Sequence, residues 1–294
     1  TGKPLWTYGN DPTNPLNSTY AGMATAWGHY PIFIDVISDG KIYLATTEHS
    51  PNSPYYKDVR YRCVNATTGE QIWTLMGWGT GMDAACDVIA DGFFVFLNCY
   101  DMQVYCVGKG PSAITVDAPK AGLQFGNSLV ISGAVTDVSA GTEQDVIARR
   151  FPNGVPAVSD ESMSDWMEYV YMQKPKPTDA IGVTVELFVI DANNNYRSIG
   201  TTTTDINGFY SYQWTPDIPG KYTVYAQFAG SESYWPSHAV TAFAVDQAPE
   251  PTPGPTESPP STVEQYFWVA VAAIIIAIVV IGAILIMLML RKKE

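Results

Sequence analysis

From Tyr266 to Leu290 the chain reads YFWVAVAAIIIAIVVIGAILIMLML, twenty-five residues without a charge. A helix needs about 20 apolar residues to cross the hydrocarbon of a bilayer. A helix apolar all round has no face to offer water, so residues 265–290 are expected to form a transmembrane helix. Tyr266, Phe267 and Trp268 open the run, where amphipathic rings suit the headgroup region, and Arg291, Lys292 and Lys293 follow it. Basic residues stay on the cytoplasmic side. The expected topology is therefore a single-pass type I protein of the cell membrane, with a short basic tail at 291–294 and everything before the span extracellular. That topology implies a secretory signal, yet Thr1 is preceded by neither a basic n-region nor an apolar h-region. The expectation is a processed chain, or the C-terminal part of a longer one.

The extracellular part is long enough for two folded domains with accessory segments. Aromatic residues make up 13% of the chain, beside 24 Gly and 21 Pro. Rings pack well on pleated sheets while Gly and Pro set turn dihedrals, so the composition predicts an all-β fold of short strands. The net charge of −13 repels phosphate backbones, which excludes nucleic acid as a partner. Cys63, Cys86, Cys99 and Cys106 would lie in an oxidising compartment, where an even count makes them disulfide candidates with the pairing left open. They contain no CxxC pair and no intervening His, so a zinc site is the weaker reading.

Two stretches repeat. DVISDGKIYLATT at Asp35–Thr47 and DVIADGFFVFLNC at Asp87–Cys99 share the frame D-V-I-x-D-G followed by alternating apolar residues. Each reads as a turn feeding a strand. A Cys-Val strand follows in each copy, aligning Cys63 with Cys106, and TGKPLW at the start recurs as TGEQIW at Thr68–Trp73. A repeat of about 40–50 residues with four short strands is the pattern of a propeller blade. T-G-x-x-x-W, the Y-x-C-V strand and the D-G strand together resemble the repeat of quinoprotein-type (PQQ-like) β-propellers. That resemblance implies a partial β-propeller of about two blades over 1–111, with Trp6 and Trp73 as blade-packing rings. It also implies further blades upstream, the first hexapeptide being the last strand of an interrupted blade.

From Ser112 the pattern changes to alternating strands with the spacing of a β-sandwich. Thr204–Tyr210, Trp214–Ala226 and Tyr234–Ala239 resemble immunoglobulin-like modules of bacterial and archaeal surface proteins, which places an immunoglobulin-like β-sandwich at 112–246. Within it, 139–180 reads as an insertion containing a short helix. Met163, Trp166, Met167, Val170 and Tyr171 fall on one helical face, with Asp160, Glu161 and Asp165 at its N-terminal end and Pro175 stopping it. That face is expected to pack on the sandwich, with a partner-binding role as the alternative, because Met and Trp suit adaptable contacts. Residues 247–264, rich in Pro and Thr, read as an extended stalk.

No constellation signals catalysis. His29, His49 and His238 are scattered, with no triad or zincin spacing. DANNNY at Asp191–Tyr196 and TDING at Thr204–Gly208 read as hairpin turns rather than calcium loops. Asp35, Asp83, Asp87 and Asp91 occupy repeat turns, where Asp is ordinary. Asn17 and Asn65 head sequons and are N-glycosylation candidates. No cofactor is called for by these residues. The expected role is a membrane-anchored, archaeal-type surface protein that binds a glycan or an envelope protein, or acts as a scaffold. Two alternatives stand beside it: a tethered quinoprotein dehydrogenase whose centre lies in blades upstream, and a structural component of an envelope lattice.

Overall fold

A computed structural model describes residues 2–9, 23–25, 27–46, 57–79, 87–247 and 261–292. The chain forms two compact units, Thr1–Ala248 and Pro249–Glu294.

The first unit begins with a short hairpin, β1 (Met23–Thr25) and β2 (Gly28–Tyr30). A four-stranded antiparallel meander follows in the order β3 (Ile32–Ser38), β4 (Lys41–Thr46), β5 (Arg60–Asn65), β6 (Gln71–Met76). A second, three-stranded meander comprises β7 (Val88–Ala90), β8 (Phe93–Asn98) and β9 (Gln103–Val107). The repeated Asp-Gly pairs make their first hairpins. Asp39 and Gly40 have φ of 50° and 69°, and Asp91 and Gly92 have 50° and 81°. Two consecutive positive φ values define the type I′ turn, whose twist matches that of the flanking strands.

The meanders pack face to face. Tyr43, Tyr61, Cys63 and Leu75 of the first meet Phe94 and Phe96 of the second in one buried cluster. The Tyr61 and Phe96 ring centroids are 3.9 Å apart, and Tyr43 stacks on Phe94 at 4.9 Å. The propeller expectation is corrected at this point. A propeller is a ring of blades about a central channel, whereas the described residues form a curled half-barrel of two stacked meanders. The opening hexapeptide is corrected too, since residues 2–9 contain no strand. Trp6 instead lies across the turn of the other copy, its indole Nε1 donating to the Ala66 carbonyl at 3.1 Å.

The sandwich faces two sheets. One runs β11 (Leu123–Gln124), β18 (Ser237–Asp246), β17 (Gly220–Phe228), β14 (Thr184–Ile190), β15 (Tyr196–Thr203). The other runs β10 (Ser112–Ile114), β12 (Leu129–Asp137), β13 (Val155–Pro156), with β16 (Phe209–Trp214) also paired to β12. Alternation buries Val185, Leu187 and Val189 of β14 against Ile131 and Val135 of β12, with Tyr222 and Val224 of β17 in the same cluster. Each such aliphatic side chain contributes about 1.5–3 kcal/mol by leaving water. The insertion between β12 and β14 carries α1 (Asp145–Arg150), β13 and α2 (Met163–Tyr171), so it holds two helices where the sequence pattern showed one.

The second unit contains α3 (Thr262–Arg291), long and apolar enough to cross a membrane, with none of its residues buried. Its start is set by a capping box, in which the Ser261 hydroxyl accepts from the Glu264 amide and the Glu264 carboxylate accepts from the Ser261 amide. This satisfies two end groups that a bare helix terminus leaves orphaned. The helix therefore begins ahead of the apolar run. Of the expected stalk, residues 248–260 lie outside the described residues.

Candidate functional site

Asp35 and Asp87 open the two copies of D-V-I-x-D-G, and the fold brings them together. A bulge between Ile34 and Val36 breaks the β3 register on β4, which changes the face that Asp35 presents. Its Oδ2 is buried without a hydrogen-bond partner. Asp87, just ahead of β7, accepts from the Tyr61 hydroxyl at 3.4 Å. The Gly79 backbone closes on the same hydroxyl, since a Cβ there would stand 2.5 Å from it.

Burial, followed by the charge of Asp87, pushes Asp35 up to about 7. Burial also raises Asp87, partly offset by its bond from Tyr61. Tyr61 is raised by burial and then by both carboxylates. A buried carboxyl beside a second carboxylate keeps its proton to higher pH than an exposed one. Sequence reasoning treated both as ordinary turn acids. The available signal was that they occupy the same repeat position. Among the described residues no group of three or more His, Cys, Asp or Glu is placed to hold a metal ion. Asp83 and Cys86 lie outside the described residues.

The second feature is the joint between half-barrel and sandwich, made by α2. Glu168, buried, accepts at Oε1 from Arg60 Nη1 at 2.8 Å and from the Met76 amide at 2.7 Å. Arg60 Nε also donates to Asp58 at 2.7 Å. The Ser164 hydroxyl oxygen accepts from the Thr74 amide at 3.2 Å. At the start of the helical segment Asp160 accepts from the Ser231 hydroxyl and the Glu232 and Ser233 amides at 2.9–3.0 Å. Burial raises the Asp160 carboxyl, but these bonds outweigh it and hold the group below its ordinary value.

The Met-Trp face of α2 is taken up in this joint. Trp166 and Val170 are buried in the insertion's own cluster, with Met163, Met167 and Tyr171 packed against it. Met163 also packs on the sandwich core and Met167 on the half-barrel core. The side chains of this face thus pack within the chain.

The other sequence candidates fall in several places. Trp73 packs at the cluster between the meanders, its centroid 6.1 Å from Tyr43. Trp6 sits on Gly69. Cys63 is buried in β5, where burial pushes its thiol up to about 11. Cys106 is exposed on β9, and Cys99 is half-buried just after β8. The repeat positions of Cys63 and Cys106 match as strand positions, and no disulfide joins Cys63, Cys99 or Cys106 to one another. Asn65 shapes the β5–β6 turn, its Oδ1 accepting from the Thr67 and Thr68 amides. Asn17 and His49 lie outside the described residues. In the DANNNY and TDING turns, Asp191 and Asp205 accept backbone amides of their own loops.

One surface stands apart. The side of the β7–β8–β9 sheet facing away from the core carries Val88, Phe93, Val95, Leu97, Val104 and Cys106 in register. Val88 is 53% exposed and Val104 69%. An apolar sheet face of this kind, with no charged side chain among these six, marks a contact surface more than a solvated one.

No family model matches the chain, and no curated protein matches it. Solved structures resemble it distantly. A CARDB domain from Pyrococcus furiosus, crystallised in complex with di-metal ions, is 10% identical with a TM-score of 0.25, covering 48% of this chain and 91% of its own. A tetra-tandem repeat from the extending region of a large adhesion protein is 16% identical with a TM-score of 0.33, covering 73% and 48%. A membrane-anchored protein from Corynebacterium diphtheriae is 13% identical with a TM-score of 0.27, covering 76% and 34%. The chain thus spans about half of the second and about a third of the third.

Proposed function

We propose that this is a single-pass surface protein that binds or scaffolds other envelope proteins, displaying its β-rich head outside the cell. The observation that carries the reading is the apolar face of β7–β8–β9, exposed among the described residues, in a chain that also has a membrane-length helix. Contact surfaces of protein partners are enriched in such apolar and aromatic side chains at their centres. Arg291 and Lys292 at the end of α3 support a cytoplasmic C-terminus.

The test has two arms. A membrane-impermeant maleimide should label an Asn193→Cys, Cys106→Ser variant on intact cells, with Cys106→Ser alone as the control; Asn193 is exposed and lies on the sandwich, away from the contact face, and labelling only after lysis would sink the surface placement. In-cell cross-linking with mass spectrometry should then give partner peptides linked to the head that a Phe93→Lys, Val104→Lys variant loses at least tenfold. Cross-links that survive the variant count against this face. Glycan-array binding unaffected by it would identify a carbohydrate ligand instead of a protein.

A further inference from the structure

The strand interface beside the aromatic core between the meanders contains the Asp35–Asp87 pair, and nothing in the binding role uses it. Asp35 belongs to β3 of the first meander and Asp87 leads into β7 of the second, and β3 and β7 are packed against each other. The described group facing the pair is Tyr61 from β5, bonded to Asp87, with Cys99, just past β8, near Tyr61. Among the described residues no cation pairs with Asp35. One of its oxygens is sealed from solvent without a partner. An ionised carboxylate loses water at that oxygen and gains no partner there, and the negative charge of Asp87 opposes it further.

We infer that Asp35 and Asp87 form a pH-responsive joint between the two meanders, closed while one proton remains on the pair and loosened at β3–β7 when both carboxylates are ionised. The sign follows from linkage. In the closed form Asp35 moves from its ordinary 3.8 up to about 7. Its stabilisation is then fully present below the ordinary value, declines as pH rises between the two, and is absent above about 7. The face proposed to bind partners lies on the β7–β8–β9 meander, on one side of this joint. The joint rests on geometry independent of that binding role, so either can fail alone.

The experiment is hydrogen–deuterium exchange of the full chain in detergent micelles at pH 5.5 and pH 8, corrected for intrinsic exchange. Protection of β3 and β7 is read relative to β14 and β17 in the sandwich. The wild type should lose about threefold or more of this relative protection at pH 8, and Asp35→Asn, which is nearly isosteric and uncharged, should keep it at both pH values. Asp87→Asn should act similarly from the opposite side and serves if Asp35→Asn does not fold. Equal relative protection of the wild type at both pH values would overturn the joint. So would an undiminished loss in whichever variants fold.

Discussion

At the residue scale the repeated Thr-Gly-x-x-x-Trp motif explains itself through one contact. Gly69 has a φ of 79°, and a Cβ on it would lie 2.6 Å from the Trp6 ring. The glycine thus serves twice, by entering the left-handed region and by leaving room for an indole from the other copy. Left-handed backbone costs a non-Gly residue about 1–2 kcal/mol, and forcing extra volume into a packed contact costs about 1–3 kcal/mol more. Gly69→Ala should therefore destabilise the first unit by about 2–5 kcal/mol in urea denaturation. In a Trp6→Ala background only the backbone part should remain, about 1–2 kcal/mol. An equal cost in both backgrounds would show that Trp6 does not press on the turn. The motif was legible in the sequence; which ring met which glycine was not, because strand periodicity carries no information about contacts across sixty residues. The same limit hid Asp35. Alternation assigns a residue to a face only while the register is unbroken, and the bulge beside Ile34 breaks it.

At the element scale α2 is the piece whose role changes most between sequence and structure. Its apolar face was readable from spacing at i, i+3, i+4 and i+7. What that face would cover was not, since a periodic stripe identifies a buried side without identifying the neighbour. Met163 turned to the sandwich and Met167 to the half-barrel make the helix a shared wall, consistent with an unbranched side chain that fills irregular gaps. The polar part of the joint centres on Glu168, which answers both the Arg60 guanidinium and the Met76 amide. Removing one partner of a buried ion pair costs about 3–5 kcal/mol where the remaining charge is left uncompensated; Arg60 keeps Asp58, so the loss here falls to about 2–3 kcal/mol. Glu168→Ala should lower unfolding stability by about that much. Glu168→Gln keeps an acceptor for the Met76 amide and should cost roughly half as much. Urea midpoints of the two variants separate these cases, and a loss under about 1 kcal/mol for Glu168→Ala would mean that α2 is not the joint's main tie.

At the scale of the whole molecule, all-β character, the sandwich and the apolar terminal helix could be read from composition and alternation, because each is a local pattern repeated many times. A closed propeller could not, since closure is a property of how many units surround an axis, and two stacked meanders satisfy the same repeat frame. The division into Thr1–Ala248 and Pro249–Glu294 has a direct consequence. None of the α3 residues is buried, and the hydrophobic clusters consist of residues from the first unit. The head is therefore expected to fold without α3, and retention in a membrane to depend on that helix. A chain ending at Ala248 should leave alkali-washed membranes entirely, whereas the full chain should stay in the pellet. The two should share a urea unfolding free energy to within about 0.5 kcal/mol, the range of changes remote from any packed feature. A released head destabilised by more than about 2 kcal/mol would show instead that residues beyond Ala248 contribute to its folding, and a full chain extracted by alkali would remove the anchor.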